Sequence, residues 1–131
     1  MTKQQIIDMN VDDFINYIVN TYLEPVPERL ETIEEMSTAG MLLAKYANSY
    51  TYLVALYAYL KAAARRAKRA QIEAKHTEDE LAAKEIYEDL NDKANLTIEF
   101  YKAIKQQYAA LSRMITVRSD NLDELHMSDS K

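Results

Sequence analysis

Residues 36–67 of the chain read MSTAGMLLAKYANSYTYLVALYAYLKAAARRA, and this stretch decides the fold. Its apolar and small residues recur at alternating steps of three and four. They are Met36, Ala39, Leu43, Tyr46, Tyr50, Leu53, Tyr57, Leu60, Ala64 and Ala67. A seven-residue repeat of this kind keeps one stripe of an α-helix turned toward a partner helix. The stretch therefore predicts a long helix that packs as in a coiled coil.

The second half of the chain carries the same repeat. Its members are Ala83, Tyr87, Leu90, Ala94, Thr97, Tyr101, Ile104, Tyr108, Leu111, Ile115, Arg118, Leu122 and Leu125. Only a short polar segment around His76 separates the two stripes, and a short connection makes consecutive helices antiparallel neighbours. Thr77 and Glu80 match a capping box that would begin the second helix. We expect an antiparallel, coiled-coil-like hairpin of helices at about 27–74 and about 78–125.

A shorter amphipathic helix is expected at about 11–23, because Asn10 is a good N-cap and acidic residues follow it. Pro25 ends this helix, and Pro27 can open the next. Ser37, Thr38 and Gly40 form a weak point in the first long helix, but the unbroken register favours continuity. Residues 127–131 read as a polar, frayed tail.

Composition indicates one all-α domain spanning residues 1–131. The single Gly and two Pro leave little material for the turns of a β-rich fold, and Cys is absent. No apolar run approaches the roughly 20 residues of a membrane span, and residues 1–10 do not resemble a signal peptide. We therefore expect a soluble, cytoplasmic protein with no membrane partner. The net charge of −5 argues weakly against bulk nucleic-acid binding.

Apolar residues also lie outside the two stripes. They are Leu42, Val54, Leu56, Ile86, Ile98, Phe100 and Met114. A two-helix seam would leave them in water, and a helix at 11–23 is too short to cover the whole hairpin. The pattern predicts a homo-oligomer that completes a bundle of three or more helices.

The clearest polar feature is a cluster of five cations within nine residues. The cluster consists of Lys61, Arg65, Arg66, Lys68 and Arg69, and small alanines separate its members. Two interpretations remain open. The cations could complement the helix dipole and the acids at 78–80, or they could contact nucleic acid or an acidic partner. The ten tyrosines have a similar pair of readings, as core residues with hydroxyls at the rim or as stacking surfaces.

Catalytic and metal sites find little support. The acid-x-x-His pairs Glu73/His76 and Asp123/His126 fall at opposite ends of the predicted hairpin, so they cannot share a metal. Arg69 and His76 resemble the Arg and His of HEPN-type ribonucleases. The polar residue that usually follows that Arg is replaced here by Ala70, and the pair spans a predicted helix end. The sequence predicts no cofactor, no metal and no enzymatic activity.

The order of long helix, basic stretch, polar segment and second long helix ending in YAALSRMITVRSDNLDEL (108–125) resembles the recombination mediators of T-even-like phages. The similarity covers roughly residues 40–125. It implies a small helical protein of a phage or mobile element, in a bacterial cytoplasm, that oligomerises, binds single-stranded DNA and works with recombination proteins. The five cations are the positions that the resemblance assigns to DNA.

The leading hypothesis is thus a non-enzymatic, oligomeric accessory protein that binds single-stranded DNA through a basic hairpin end, assisted by tyrosine stacking. One alternative is a protein-binding inhibitor, anti-defence or anti-CRISPR-like, or a helical scaffold, acting on a host or phage protein. A second alternative is a HEPN-like ribonuclease.

Overall fold

A computed structural model describes the backbone of residues 1–129 and the side chains of residues 1–121. Four helices follow one another: α1 (Lys3–Asp8), α2 (Val11–Tyr22), α3 (Ile33–Glu73) and α4 (Glu80–Asp129). Residues 1–129 contain no β-strand. Helices α3 and α4 pack against each other along the hairpin, and α2 packs against α4. At about 1.5 Å per residue, α3 is about 60 Å long and α4 about 75 Å. The predicted all-α hairpin is confirmed.

Two N-terminal boundaries differ from the sequence prediction. Helix α1 was not predicted, although Thr2 and Gln5 form a capping box at its start. Helix α3 begins at Ile33 rather than near Pro27. The Thr32 hydroxyl accepts a hydrogen bond from the Glu35 amide (3.0 Å), and the Glu35 carboxylate accepts one from the Thr32 amide (3.1 Å). This reciprocal cap fixes the helix start after the prolines rather than at them.

The long helices are continuous. Helix α3 runs through residues 37–40 without a break, and a side chain at Gly40 would meet nothing within 4 Å. Helix α4 extends to Asp129, past the predicted end at about 125. The predicted frayed tail at 127–131 overlaps this last turn, and residues 130–131 lie outside the described part of the chain. Within residues 1–129, no helix combines the length and the apolar character that a bilayer crossing requires.

Burial separates the two positions of each heptad stripe. Over residues 39–60 of α3 and 90–111 of α4, every seventh residue is at most 5% exposed, and these residues form the seam. They are Ala39, Tyr46, Leu53 and Leu60 on α3, and Leu90, Thr97, Ile104 and Leu111 on α4. The alternate positions Tyr50, Tyr57 and Tyr101 are only half-buried, and Tyr108 is 41% exposed. One edge of the predicted stripe is therefore core. On the other edge the tyrosines border water, and only the small Ala64 and Ala94 are buried.

The N-terminal helices explain this asymmetry, because they cover one side of the hairpin. Phe14 of α2 packs on Phe100 of α4, with ring centroids 6.3 Å apart. At the end of α2, Tyr22 stacks on Tyr52 of α3 at 4.9 Å. On the face of α3 that carries Tyr52, the neighbouring positions are buried too, namely Ser49, Leu56 and Ala63. The buried residues thus extend from the seam onto the side of the hairpin that faces α1 and α2.

The connector between α2 and α3 (residues 23–32) is tied back to both long helices. The Tyr46 hydroxyl donates to the Glu24 carbonyl, and Lys45 Nζ lies 2.9 Å from the Glu24 carboxylate. Burial, followed by the neighbouring Glu24 charge, raises the pKa of Tyr46. Arg118 of α4 donates to the Glu31 carbonyl at 3.0 Å. These contacts hold the connector across the open end of the hairpin.

Lys93 of α4 is the one charged side chain among residues 1–121 that is fully buried. Its ammonium donates to the Ile7 carbonyl (2.7 Å), the Met9 carbonyl (2.5 Å) and the Asp89 carboxylate (2.7 Å). The two carbonyls lie at the C-terminal end of α1, where a helix leaves carbonyls without partners and carries partial negative charge. Lys93 therefore attaches the N-terminal helices to the hairpin. In the sequence it lies outside the apolar stripe, next to Ala94, so the repeat does not predict its burial.

Replacing Lys93 with Met tests this fastening. The substitution keeps the volume but leaves two carbonyls and a carboxylate without their donor, so we expect the free energy of unfolding to fall by about 3 kcal/mol. Urea denaturation measures the loss, and amide hydrogen exchange should show residues 1–10 losing protection first. The control is Lys84→Met, because Lys84 is exposed and its contact with Glu88 is 4.0 Å long. A Lys93→Met loss no larger than the control's would contradict the assignment.

Candidate functional site

The five predicted cations all lie in the last third of α3, on its final turns before the connection to α4. Arg65, Arg66, Lys68 and Arg69 are exposed, and Lys61 is half-buried. Residues 61–72 contain no Asp or Glu. The five side chains therefore share one stretch of α3 that contains no acidic residue. We call Lys61, Arg65, Arg66, Lys68 and Arg69 the basic segment.

Contacts of the basic segment are few. The Lys68 ammonium lies 4.9 Å from the centre of the Tyr87 ring and 3.5 Å from the Gln71 side-chain oxygen. Among the side chains of residues 1–121, none of Lys61, Arg65, Arg66 and Arg69 has a carboxylate within 4.0 Å. The acids at the start of α4 therefore do not neutralise the segment through direct ion pairs.

The helix dipole does not account for the segment either. A dipole acts on charges within the last turn of a helix. The last turn of α3 contains no basic residue, and the helix ends at Glu73, whose charge has the unfavourable sign there. The five cations lie one to three turns before that end. Their position is therefore not explained by the interaction with the α3 C-terminus.

The connection between α3 and α4 (residues 74–79) is a tight turn. His76 has a φ of 67°, and its amide donates to the Glu80 carboxylate at 3.0 Å. The predicted Thr77–Glu80 capping box is wrong. The Thr77 amide already donates to the Ala74 carbonyl (2.9 Å), so the Glu80 carboxylate caps His76 instead, and the Thr77 hydroxyl accepts from Asp79 (3.3 Å).

The two residues of the ribonuclease alternative, Arg69 and His76, lie on different structural elements. Arg69 lies inside α3, whereas His76 lies in the turn with its side chain exposed. Among residues 1–121 no three His, Cys, Asp or Glu side chains come together in an arrangement that could hold a metal ion. The side chains of Asp123 and His126 lie outside the described residues.

A second surface lies on the side of the hairpin opposite α1 and α2. One row of residues on each long helix runs along it, and the Tyr50 and Tyr57 rings each meet the Tyr101 ring edge to face, at 5.8 and 6.2 Å. We call these rows the open face. Its members are Leu43, Ala47, Tyr50, Val54, Tyr57, Lys61 and Lys68 of α3, and Tyr87, Asn91, Ile98, Tyr101, Lys105 and Tyr108 of α4. The small residues Ala64 and Ala94, which occupy the remaining positions of the two rows, are buried.

The open face contains an apolar groove of about 310 Å³ between the two long helices. Tyr50, Tyr108 and Lys105 line its rim, and Ile104 lies at its floor. The face carries Lys61, Lys68 and Lys105 but no Asp or Glu, although the whole chain has a net charge of −5. Sequence reasoning identified the tyrosines and missed Lys105, whose spacing of four and three residues from Tyr101 and Tyr108 was the available signal.

A comparison of the chain with protein-family models, with curated proteins and with solved structures finds no match.

Proposed function

We propose that the chain is a non-enzymatic, self-associating protein that binds single-stranded DNA through the basic segment. The observation that carries the proposal is the basic segment itself. It has five cations within nine residues, no neighbouring carboxylate among residues 1–121, and no role in capping its own helix. This is also the role that the resemblance to phage recombination mediators implies.

The energetics favour a polyanion as the partner of the basic segment. Four of the five side chains are exposed, so their charges remain hydrated and available in the unbound protein. A nucleic-acid strand that is neutralised by such side chains releases condensed counterions, which supplies most of the sequence-independent affinity. Five of the chain's sixteen Lys and Arg lie in this segment, so the local potential is positive on an acidic protein.

Apolar surface that the N-terminal helices leave uncovered supports the proposed self-association. Ile86, Lys93 and Phe100 are spaced by seven residues on α4, and α1 and α2 cover the latter two. Ile86 lies one heptad closer to the turn and is 56% exposed, and nearby Leu81 is 67% exposed. A second copy that packs on this end of the hairpin would continue the core toward the turn.

A matched pair of charge variants tests the DNA proposal. Arg65→Gln and Arg29→Gln each remove one exposed cation, but only Arg65 belongs to the basic segment. For single strands each phosphate contact contributes about 0.7 to the slope of log affinity against log salt. We expect Arg65→Gln to weaken binding of a fluorescent oligo-dT about eightfold at about 50 mM salt and to lower the slope by about 0.7.

Arg29→Gln should change neither the affinity nor the slope. Wild-type protein that fails to bind oligo-dT at low salt, or that binds it without a salt slope, would overturn the proposal. Equal losses in the two variants would show that net charge rather than the basic segment governs binding.

Self-association has its own test in Ile86→Glu, which places a charge where a second copy would bury an apolar side chain. We expect sedimentation velocity to show a smaller species than wild type at equal concentration. Ile33→Glu is the control, because Ile33 is 89% exposed at the other end of the hairpin. Unchanged sedimentation of Ile86→Glu would remove Ile86 from the interface.

A further inference from the structure

We infer that the open face is the base-stacking half of the binding site. A single nucleic-acid strand leaves the basic segment and runs along this face, with bases on its tyrosines and phosphates at its lysines. This inference rests on the proposed function, because it assumes that the basic segment binds the strand. Beyond the proposed function, it names the residues that would contact the bases. It also explains a preference for single strands, because only unpaired bases have faces free to stack on the tyrosines.

The open face and the basic segment are continuous. Lys61 and Lys68 belong to both, and the Lys68 ammonium lies over the Tyr87 ring at 4.9 Å. From Lys68 to Tyr50 the helix rises by about 27 Å, at about 1.5 Å per residue. Along this path Tyr57 and Tyr101 contact each other edge to face, so each ring keeps part of its surface free. The path ends at the groove beside Tyr108.

The groove has the chemistry of a base site. Its volume of about 310 Å³ is at the lower end of small-ligand sites, and its walls are mainly apolar and aromatic. Tyr108 is 41% exposed, so its ring can be covered by an incoming base without disturbing the core. Lys105 at the rim supplies a cation for the adjoining phosphate. Unpaired bases have free faces for such stacking, whereas bases inside a duplex do not.

Charge favours a strand over a second copy of the chain on this face. In a two-fold interface a patch meets the same patch of its partner. Such pairing would place Lys61, Lys68 and Lys105 of one copy against a face that carries the same three lysines and no carboxylate to offset them. A polyanion complements all three lysines.

The test uses Tyr108→Leu and Tyr50→Leu, which keep apolar volume but remove the stacking ring. The matched control is Tyr59→Leu, because the Tyr59 ring lies on the opposite side of α3 beneath the Lys3 ammonium at 4.8 Å. Affinity for fluorescent oligo-dT and for a duplex of equal length is measured across a salt series, with sedimentation velocity on every variant. Since Tyr108 is exposed, Tyr108→Leu carries the test if Tyr50→Leu does not fold.

We expect each open-face variant to weaken oligo-dT binding by about 5- to 150-fold with an unchanged salt slope. Duplex affinity and the Tyr59→Leu control should stay at the wild-type level. Unchanged oligo-dT affinity in Tyr108→Leu, together with loss in Arg65→Gln, would overturn this inference and leave the proposed function standing. Absence of wild-type binding would overturn both. A smaller sedimenting species with unchanged affinity would assign the face to a second copy.

Discussion

Helices α1 and α2 cover only one side of the hairpin that α3 and α4 form, and the packing of the other side follows from this. Helices α1 and α2 span only eighteen helical residues, against forty-one in α3. Phe14 of α2 packs on Phe100 and Tyr22 stacks on Tyr52, so the N-terminal helices lie on one side of the hairpin. The opposite edge of the seam must then border water. Tyrosine suits that edge because its ring packs while its hydroxyl reaches solvent.

The buried Lys93 attaches the N-terminal helices to this one side of the hairpin. Helix α2 is held on the hairpin by two buried side chains, Phe14 and Ile18, whereas α1 has only one, Ile6. Lys93 gathers the free carbonyls at the end of α1 and is itself balanced by Asp89. A buried charge is tolerated when its hydrogen bonds are complete, and here it fixes where the N-terminal helices dock.

The helical hairpin could be predicted from the sequence, because a seven-residue repeat over two long stretches is typical of two long helices packed against each other. Sequence reasoning missed α1, because six residues carry no readable periodicity. It placed the start of α3 at Pro27, because proline is favoured in the first turn of a helix, whereas the Thr32–Glu35 cap starts the helix at Ile33. Lys93 could not be recognised, since two of its three partners lie 84 and 86 residues away in the chain. The five cations of the basic segment can be read directly from the sequence, because they lie within nine residues. The sequence alone did not show that this segment lies before the last turn of α3, because that depends on where the helix ends. The structure ends α3 at Glu73, which weakens the helix-dipole explanation.

The most direct test of one-sided coverage and its consequence is residue-resolved chemical labelling of the tyrosines, with and without oligo-dT. The account predicts that Tyr108 reacts readily in the free protein and is protected by oligo-dT, whereas Tyr46 is unreactive in both states because it is fully buried. Tyr59, on the covered side, should react equally with and without the oligonucleotide. A Tyr108 that is already unreactive in the free protein, or one that oligo-dT leaves unprotected, would contradict the account.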